Sequence, residues 1–247
     1  MAHNAVRQLN LSQRYIDARY VANAKELRIE GRAIVVNIVT SAVPMGETPQ
    51  KTIPPLSSAF LQDTSIEQAD SLVVLRFAEE REENPGEISG IVREPDWKLL
   101  ADVLDGFPRD TQLWKGPQDE AGLVSFMPES LLAQCGPAGE ERDFRVKVNL
   151  WFAPAGTDCR IHNIHEFVEV HTQVHGFGRM QKFRGPDHGT LYEDVLMSPG
   201  VTHTPFCVTG PGSTFEYPWH QYRADTDCVW LAVEYHEVRK EEGGKQA

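Results

Sequence analysis

The chain has no run approaching the ~18 apolar residues that cross a bilayer, and its first residues, Met1 to Gln8, lead into polar sequence rather than an apolar signal core. A soluble, cytoplasmic protein that does not span a membrane is therefore expected. It also lacks a basic patch. Lys and Arg number 24 against 36 Asp and Glu, for a net charge of −12. Arg7, Arg14 and Arg19 are scattered, and Arg239-Lys240 is followed at once by Glu241-Glu242. Phosphate backbones and anionic lipids would be repelled, so no nucleic-acid or membrane partner is expected. The four cysteines, Cys135, Cys159, Cys207 and Cys228, form no CxxC pair, which disfavours a zinc ribbon or a thioredoxin-like site. They read as reduced, buried thiols. There is no phosphate-binding loop, no G-x-S-x-G elbow and no dinucleotide fingerprint, and no internal repeat. Before residue 162 histidine is almost absent, with only His3.

What is present is concentrated late in the chain. Eight of nine histidines fall between His162 and His236. Imidazole is the commonest metal ligand and handles protons near neutral pH, so the chemistry is expected there. The preceding sequence reads more plainly. Residues 12–30 have helix-like apolar spacing, with Tyr15, Ala18, Tyr20, Val21 and Ala24. Residues 33–43 and 71–77 are β-branched and short, hence strands, with a loop from Pro44 to Pro55 and a turn over Glu79–Glu87. A helix is expected from Pro95 to Asp105, stopped by Gly106, and 107–144 reads as loop, with four prolines. From Arg145 short strands follow one another, at 145–153, 161–174, 178–183, 191–197, 203–208, 214–223 and 228–238, separated by Gly and Pro turns. That texture indicates a sandwich or barrel.

Within the strand-rich part, Gly156-Thr-Asp-Cys-Arg-Ile-His162-Asn-Ile-His165-Glu-Phe-Val-Glu169 runs on to Gly176. It resembles the first motif of the cupin superfamily, G-x5-H-x-H-x3,4-E-x6-G, but the histidines are spaced H-x-x-H. The second motif, G-x5-P-x-G-x2-H-x3-N, has a counterpart in Tyr192 to Cys207. Gly200 and His203 keep the G-x2-H spacing; Tyr192, Ser198 and Cys207 replace the first Gly, the Pro and the Asn. The resemblance covers roughly 145–238. It implies a small antiparallel barrel with ligands His162, His165, Glu169 and His203 around a divalent transition metal, Fe(II) first, with Mn, Ni or Zn as alternatives. Such a set leaves coordination positions open for catalysis. In a regular strand, residues three apart face opposite sides, so His162 and His165 can share the interior only if a bulge or bend intervenes. Without one, the set falls to His165, Glu169 and His203.

Strand parity adds further expectations. If Glu169 faces inward, so do His171, Gln173 and His175, while Val168, Val170, Thr172 and Val174 form an outer row covered by another layer or a second subunit. The polar inner row suggests a hydrophilic ligand. In Glu216 to Arg223, one face carries Pro218, His220 and Tyr222, so His171, His220 and Tyr222 are the candidate groups for holding substrate or moving protons. His175, His188 and His236 read as solvated.

The fold is thus expected to be mainly β: a cupin-like jelly-roll barrel over 145–240, an α+β region over 1–144 packed on it, and a flexible tail at 241–247. The implied function is a metal-dependent enzyme acting on a small polar metabolite, a non-haem iron oxygenase first. A redox-neutral isomerase, decarboxylase or lyase and a non-enzymatic binding module are the alternatives. A homodimer is expected from the outer row and the habits of the family.

Overall fold

The computed structural model describes residues 3–12, 14–77, 87–132, 139–211 and 214–238. In chain order the strands are β1 (Ala5–Gln8), β2 (Ile16–Asn37), β3 (Val43–Met45), β4 (Lys51–Ile53), β5 (Ser57–Phe77), β6 (Lys98–Leu99), β7 (Trp114–Phe126), β8 (Arg142–Ala153), β9 (Val168–His175), β10 (Gly178–Phe183), β11 (Leu191–Met197), β12 (Val208–Thr209), β13 (Phe215–Glu216), β14 (Trp219–Ala224) and β15 (Cys228–Glu237). Helix among the described residues is confined to single turns, α1 (Leu100–Val103), α2 (Pro128–Leu131) and two 3-10 segments. The fold is mainly β, with a jelly-roll-like pair of sheets in the second half rather than a continuously bonded barrel. One sheet has the order β6-β7-β8-β15-β9 and the other β11-β10-β14.

The N-terminal part is not α+β. The 12–30 segment belongs to β2, which pairs along its length with β5. Asn23 and Glu26 are in the left-handed region (φ 53 and 48) and interrupt in–out alternation. Buried residues fall three apart at Ala18, Val21 and Ala24, because Ala18 and Val21 pack on opposite faces in two cores and Asn23 adds a step before Ala24, a spacing that mimics a helix. At its far end β2 is flanked by both ends of β5: Val36 pairs with Val73 on one side and Ser58 on the other. This curl encloses a small apolar core including Val35, Ile53, Ile66 and Leu72. The Pro44–Pro55 loop contains β3 and β4.

Two further expectations fail for local reasons. Only Leu100–Val103 of the 95–105 helix coils, because Lys98 and Leu99 are paired into the sheet against Lys115 and Trp114. The supposed loop at 107–144 holds β7, which runs beside β8 through two register shifts, at Gly116-Pro117 and Ala121-Gly122. A bulge is where a strand tolerates proline. The main sheet therefore takes strands from both sides of residue 144, so no boundary falls there. Most of the Glu79–Glu87 turn and all of the 241–247 tail lie outside the described residues.

In the second half, β10 and β11 fall where the sequence places them. The expected strand at 161–174 begins only at Val168, and 203–208 is irregular except for its last residue. Pro218 separates β13 from β14, dividing the strand expected over 214–223. Gly200 (φ 86) sits where an added Cβ would lie 2.7 Å from the Phe60 Cβ, so the turn after β11 packs directly on β5.

The largest core lies between the N-terminal strands and one face of the main sheet. Leu9, Ile16, Ile34 and Leu75 meet Phe144, Val148, Val170 and Leu231 in it. Val168, Val170, Thr172 and Val174 are all buried there or beside it, so the apolar row of β9 is covered by this chain's own N-terminal layer. That row gives no reason to expect a second subunit.

Candidate metal centre

The opposite face of the main sheet looks toward β10 and β14 across a cavity of about 710 Å³. Three imidazoles converge there: His162, His165 and His220. His162 and His165 sit in residues 161–167, where the chain leaves strand geometry, with Arg160 at φ 75. This bend, rather than a bulge in a strand, lets two histidines three apart face one point. His162 is tied to β14 by an antiparallel bridge, His162 N donating to His220 O at 2.9 Å and His220 N to His162 O at 2.8 Å.

The ring tautomers follow from their outer partners. His162 Nδ1 donates to Arg160 O (3.0 Å) and His220 Nδ1 to Pro218 O (2.8 Å). His165 Nδ1 faces Glu169 Oε2 at 3.7 Å. With Nδ1 occupied, the Nε2 atoms of His162 and His220 are the ones turned inward, and the Nε2 of His165 lies between them. His165 Nε2 lies 3.0 Å from His162 Nε2 and 3.1 Å from His220 Nε2. Burial lowers His165 to about 4, against the opposing pull of Glu169, and lowers His220 to about 2 with help from His162. Held unprotonated in this way, His165 and His220 are in the form that binds a metal ion. With metal–nitrogen bonds of ~2.1 Å, ligands at right angles stand ~3.0 Å apart and tetrahedral ones ~3.4 Å. The two spacings fit neighbouring positions of an octahedron. The donor set thus suits a divalent transition metal with positions left open.

The expected ligand set is altered in two places. Glu169 stands behind the cluster. Its Oε1 meets His171 Nε2 at 3.1 Å and its Oε2 faces His165, so it orients imidazoles instead of joining them. Burial alone would raise Glu169; the charge and hydrogen bond of His171, with His165, outweigh it and hold the carboxyl well below the usual carboxylate range. His203 also stands apart. Its Nε2 accepts from the His171 backbone N–H (2.9 Å) and its Nδ1 donates to Thr204 O (3.0 Å), so neither nitrogen is free for a metal. Burial lowers it to about 3. His220, expected to handle protons, takes the third place. Strand parity correctly turns it inward with Tyr222, but its bridge to His162 spans 58 residues and has no local signature.

Of the other candidates, His171 lies in the cavity with its Nδ1 buried and unpartnered. The Tyr222 hydroxyl donates to Gln173 Oε1, and its ring stacks on Trp230 at 4.0 Å. His188 is exposed, as expected. His236 is not solvated: its Nε2 meets Glu234 at 2.8 Å and its ring packs on Phe167. Cys159, Cys207 and Cys228 are free and buried, and burial raises their thiols; Cys135 lies outside the described residues. The sequence reading missed the rest of the cavity wall, supplied partly by the segment taken as loop. Leu113, Trp151, Met180 and Trp230 make that wall largely apolar, contrary to the hydrophilic pocket inferred from β9 alone.

No family model matches the chain, and no curated protein matches it. Among solved structures it is similar to a Bacillus subtilis oxalate decarboxylase mutant, at 12% identity and a TM-score of 0.28, covering 95% of this chain and 74% of that one. It is similar also to a cupin 2 conserved barrel domain protein from Leptotrichia buccalis, at 12% identity and a TM-score of 0.28, covering 95% and 91%. No helix among the described residues is long and apolar enough to cross a membrane.

Proposed function

We propose that this chain is a metal-dependent enzyme acting on a small molecule, with a divalent transition metal held by His162, His165 and His220. The observation that carries the reading is the convergence of three imidazole Nε2 atoms, with that of His165 lying 3.0 Å from His162 and 3.1 Å from His220. A metal there would act as a Lewis acid toward substrate oxygens and, as iron, would bring dioxygen chemistry. The chain's own contribution is positional. The carbonyls of Arg160 and Pro218 fix two rings, Glu169 faces the third, and a largely apolar wall borders the imidazoles. An all-imidazole set leaves the ion's charge uncompensated, which favours a substrate with anionic or chelating oxygens. On these grounds we favour an Fe(II)-dependent oxygenase.

A second reading, a redox-neutral decarboxylase, isomerase or lyase, is favoured by one observation. Glu169 and His171 form a hydrogen-bonded acid–base pair lining the same cavity. His171 Nε2 can hold the proton that such a reaction moves.

Metal analysis of untagged, anaerobically purified protein tests both readings. About one iron per chain with substrate-dependent oxygen uptake supports the oxygenase. About one manganese, nickel or zinc with turnover but no oxygen uptake supports the redox-neutral enzyme. No metal after reconstitution refutes both.

A further inference from the structure

We propose that the molecule bound in this cavity has a flat apolar body joined to its metal-binding head. This rests on the metal reading for the head and on independent observations for the body. At ~30 Å³ per water, a cavity of about 710 Å³ holds roughly two dozen waters. A two- or three-carbon acid would leave most of that volume as water against apolar walls.

The wall has a defined shape. Trp151 and Trp230 face each other across β8 and β15, their rings nearly parallel (7°) with centroids 6.4 Å apart. Tyr222 covers Trp230, stacking on it at 4.0 Å. Trp151 is only partly buried. With the Asn149 amide turned so that its oxygen faces the indole, that oxygen accepts from Trp151 Nε1 at 2.8 Å while the amide nitrogen donates to Glu234. The indole is thus fixed in a row on the cavity wall, between Trp230 of β15 and Lys115 of β7. Lys115 Nζ lies 5.4 Å from its centroid, and Leu113 and Met180 line the same cavity.

A second feature points the same way. Leu104 and Ile164 also line the cavity, and they are 51% and 83% exposed. Both flank functional segments, Leu104 directly after α1 and Ile164 between two metal-site histidines. A bound apolar body would cover them. Flat rings pack against a fixed aromatic row with little loss of freedom, whereas an aliphatic tail would gain area but no such register.

The test uses the full chain loaded with metal and three hydroxamates that share one chelating head: acetohydroxamate, benzohydroxamate and 2-naphthohydroxamate. Dissociation constants are expected to tighten by about tenfold or more per added ring. Trp151→Ala should abolish about tenfold of the naphthyl gain and leave acetohydroxamate within about twofold. Ile164→Ser, at an exposed position that does not endanger folding, should remove a smaller part of the same gain. Equal affinity across the series, or a gain indifferent to both substitutions, overturns the proposal. Failure of the metal reading shows separately, as absent metal and no acetohydroxamate binding. In that case 2-naphthol, which has no chelating head, reads the wall alone on metal-free protein. Saturable binding weakened by Trp151→Ala supports the proposal, and no saturable binding overturns it.

Discussion

The two faces of the main sheet are built from the same strands and do opposite work. Along β8, Phe144, Val146, Val148, Leu150 and Phe152 point one way, into the core shared with the N-terminal strands; along β15, Val229, Leu231, Val233 and Tyr235 do the same. The alternate residues of these strands, Asn149, Trp151, Trp230 and Glu234, face the other way, toward the cavity and its hydrogen-bonded fringe. On β9 the closed face receives Val168, Val170 and Val174, and the open face Glu169 and His171. Period-two alternation lets one strand serve stability on one side and chemistry on the other. The closed face is apolar along its centre, whereas the open face and its opposite wall hold His165, His203 and His220, whose protonation is suppressed by burial.

The largest expected effect separates the faces by pH. On unfolding, His165, His203 and His220 return from about 4, 3 and 2 to the ordinary value of 6.5. A folded pKa below the unfolded one means that the unfolded chain binds more protons between those values, so stability is full above pH 6.5 and falls as pH drops toward 4. Each histidine then contributes on the order of 1–2 kcal/mol of destabilisation by pH 5. Glu169, also depressed on folding, acts in the same direction below the ordinary carboxylate range. Urea denaturation of metal-free protein at pH 7 and pH 5 should show a loss of several kcal/mol. A flat profile would mean that the open face is not built as described.

Phe144→Ala is the matching perturbation of the closed face. Phe144 is fully buried and stacks on Phe126 at 4.2 Å. Its truncation is expected to cost about 3–5 kcal/mol at any pH, with metal stoichiometry unchanged in the fraction that remains folded. Loss of metal at equal folded fraction would show that the two faces are coupled.

His220→Ala should do the reverse. Metal affinity is expected to fall by about 100-fold or more, while metal-free stability at pH 7 changes less than for Phe144→Ala, because the truncated ring borders the open cavity. Glu169→Gln, which keeps the shape and removes the charge facing His165, should fall between, at about 10–100-fold in metal affinity. Equal losses from the two substitutions would move Glu169 into the ligand set. Titration with Co(II) or Fe(II) under anaerobic conditions, read by absorbance and by bound metal, distinguishes these outcomes.

The same contrast explains what the sequence could show. The bounds of β10 and β11 are legible in the sequence, and parity alone places Glu169 with His171 on one face of β9. Reading failed where the backbone departs from a regular period. Burial on both faces, with positive φ at Asn23, disguises β2 as helix, and bulges at Gly116-Pro117 and Ala121-Gly122 disguise β7 as loop. At the site, His162 and His165 were visible as a pair, but the bend that converges them is not a sequence period. Nor is the pairing of His162 with His220, a contact that only the closed tertiary structure makes. His203 drew attention through motif spacing, whereas its ring is turned back onto the β9 backbone, where hydrogen bonding satisfies both nitrogens.

Tyr222 offers the finest test of where the open face stops being chemistry and becomes support. It lies beside the candidate ligands, so proximity alone would make it a proton donor. Its hydroxyl, however, is buried and donates to Gln173 Oε1, and Gln173 in turn donates to the carbonyls of His175 (2.6 Å) and Gly176 (3.2 Å) at the turn into β10. Burial pushes the phenol far above its ordinary range, which suits a fixed hydrogen-bond donor and not a group that releases its proton. Tyr222→Phe keeps the ring stacked on Trp230 and removes the hydroxyl's bond to the Gln173 oxygen and its contact with the Cys228 thiol. It should therefore cost about 1–2 kcal/mol in stability, leave bound metal unchanged and shift no pH profile of turnover. A variant of wild-type stability whose activity loses its acid or base limb would instead place the Tyr222 hydroxyl among the reacting groups, and the open face would extend one layer deeper than its hydrogen bonds indicate.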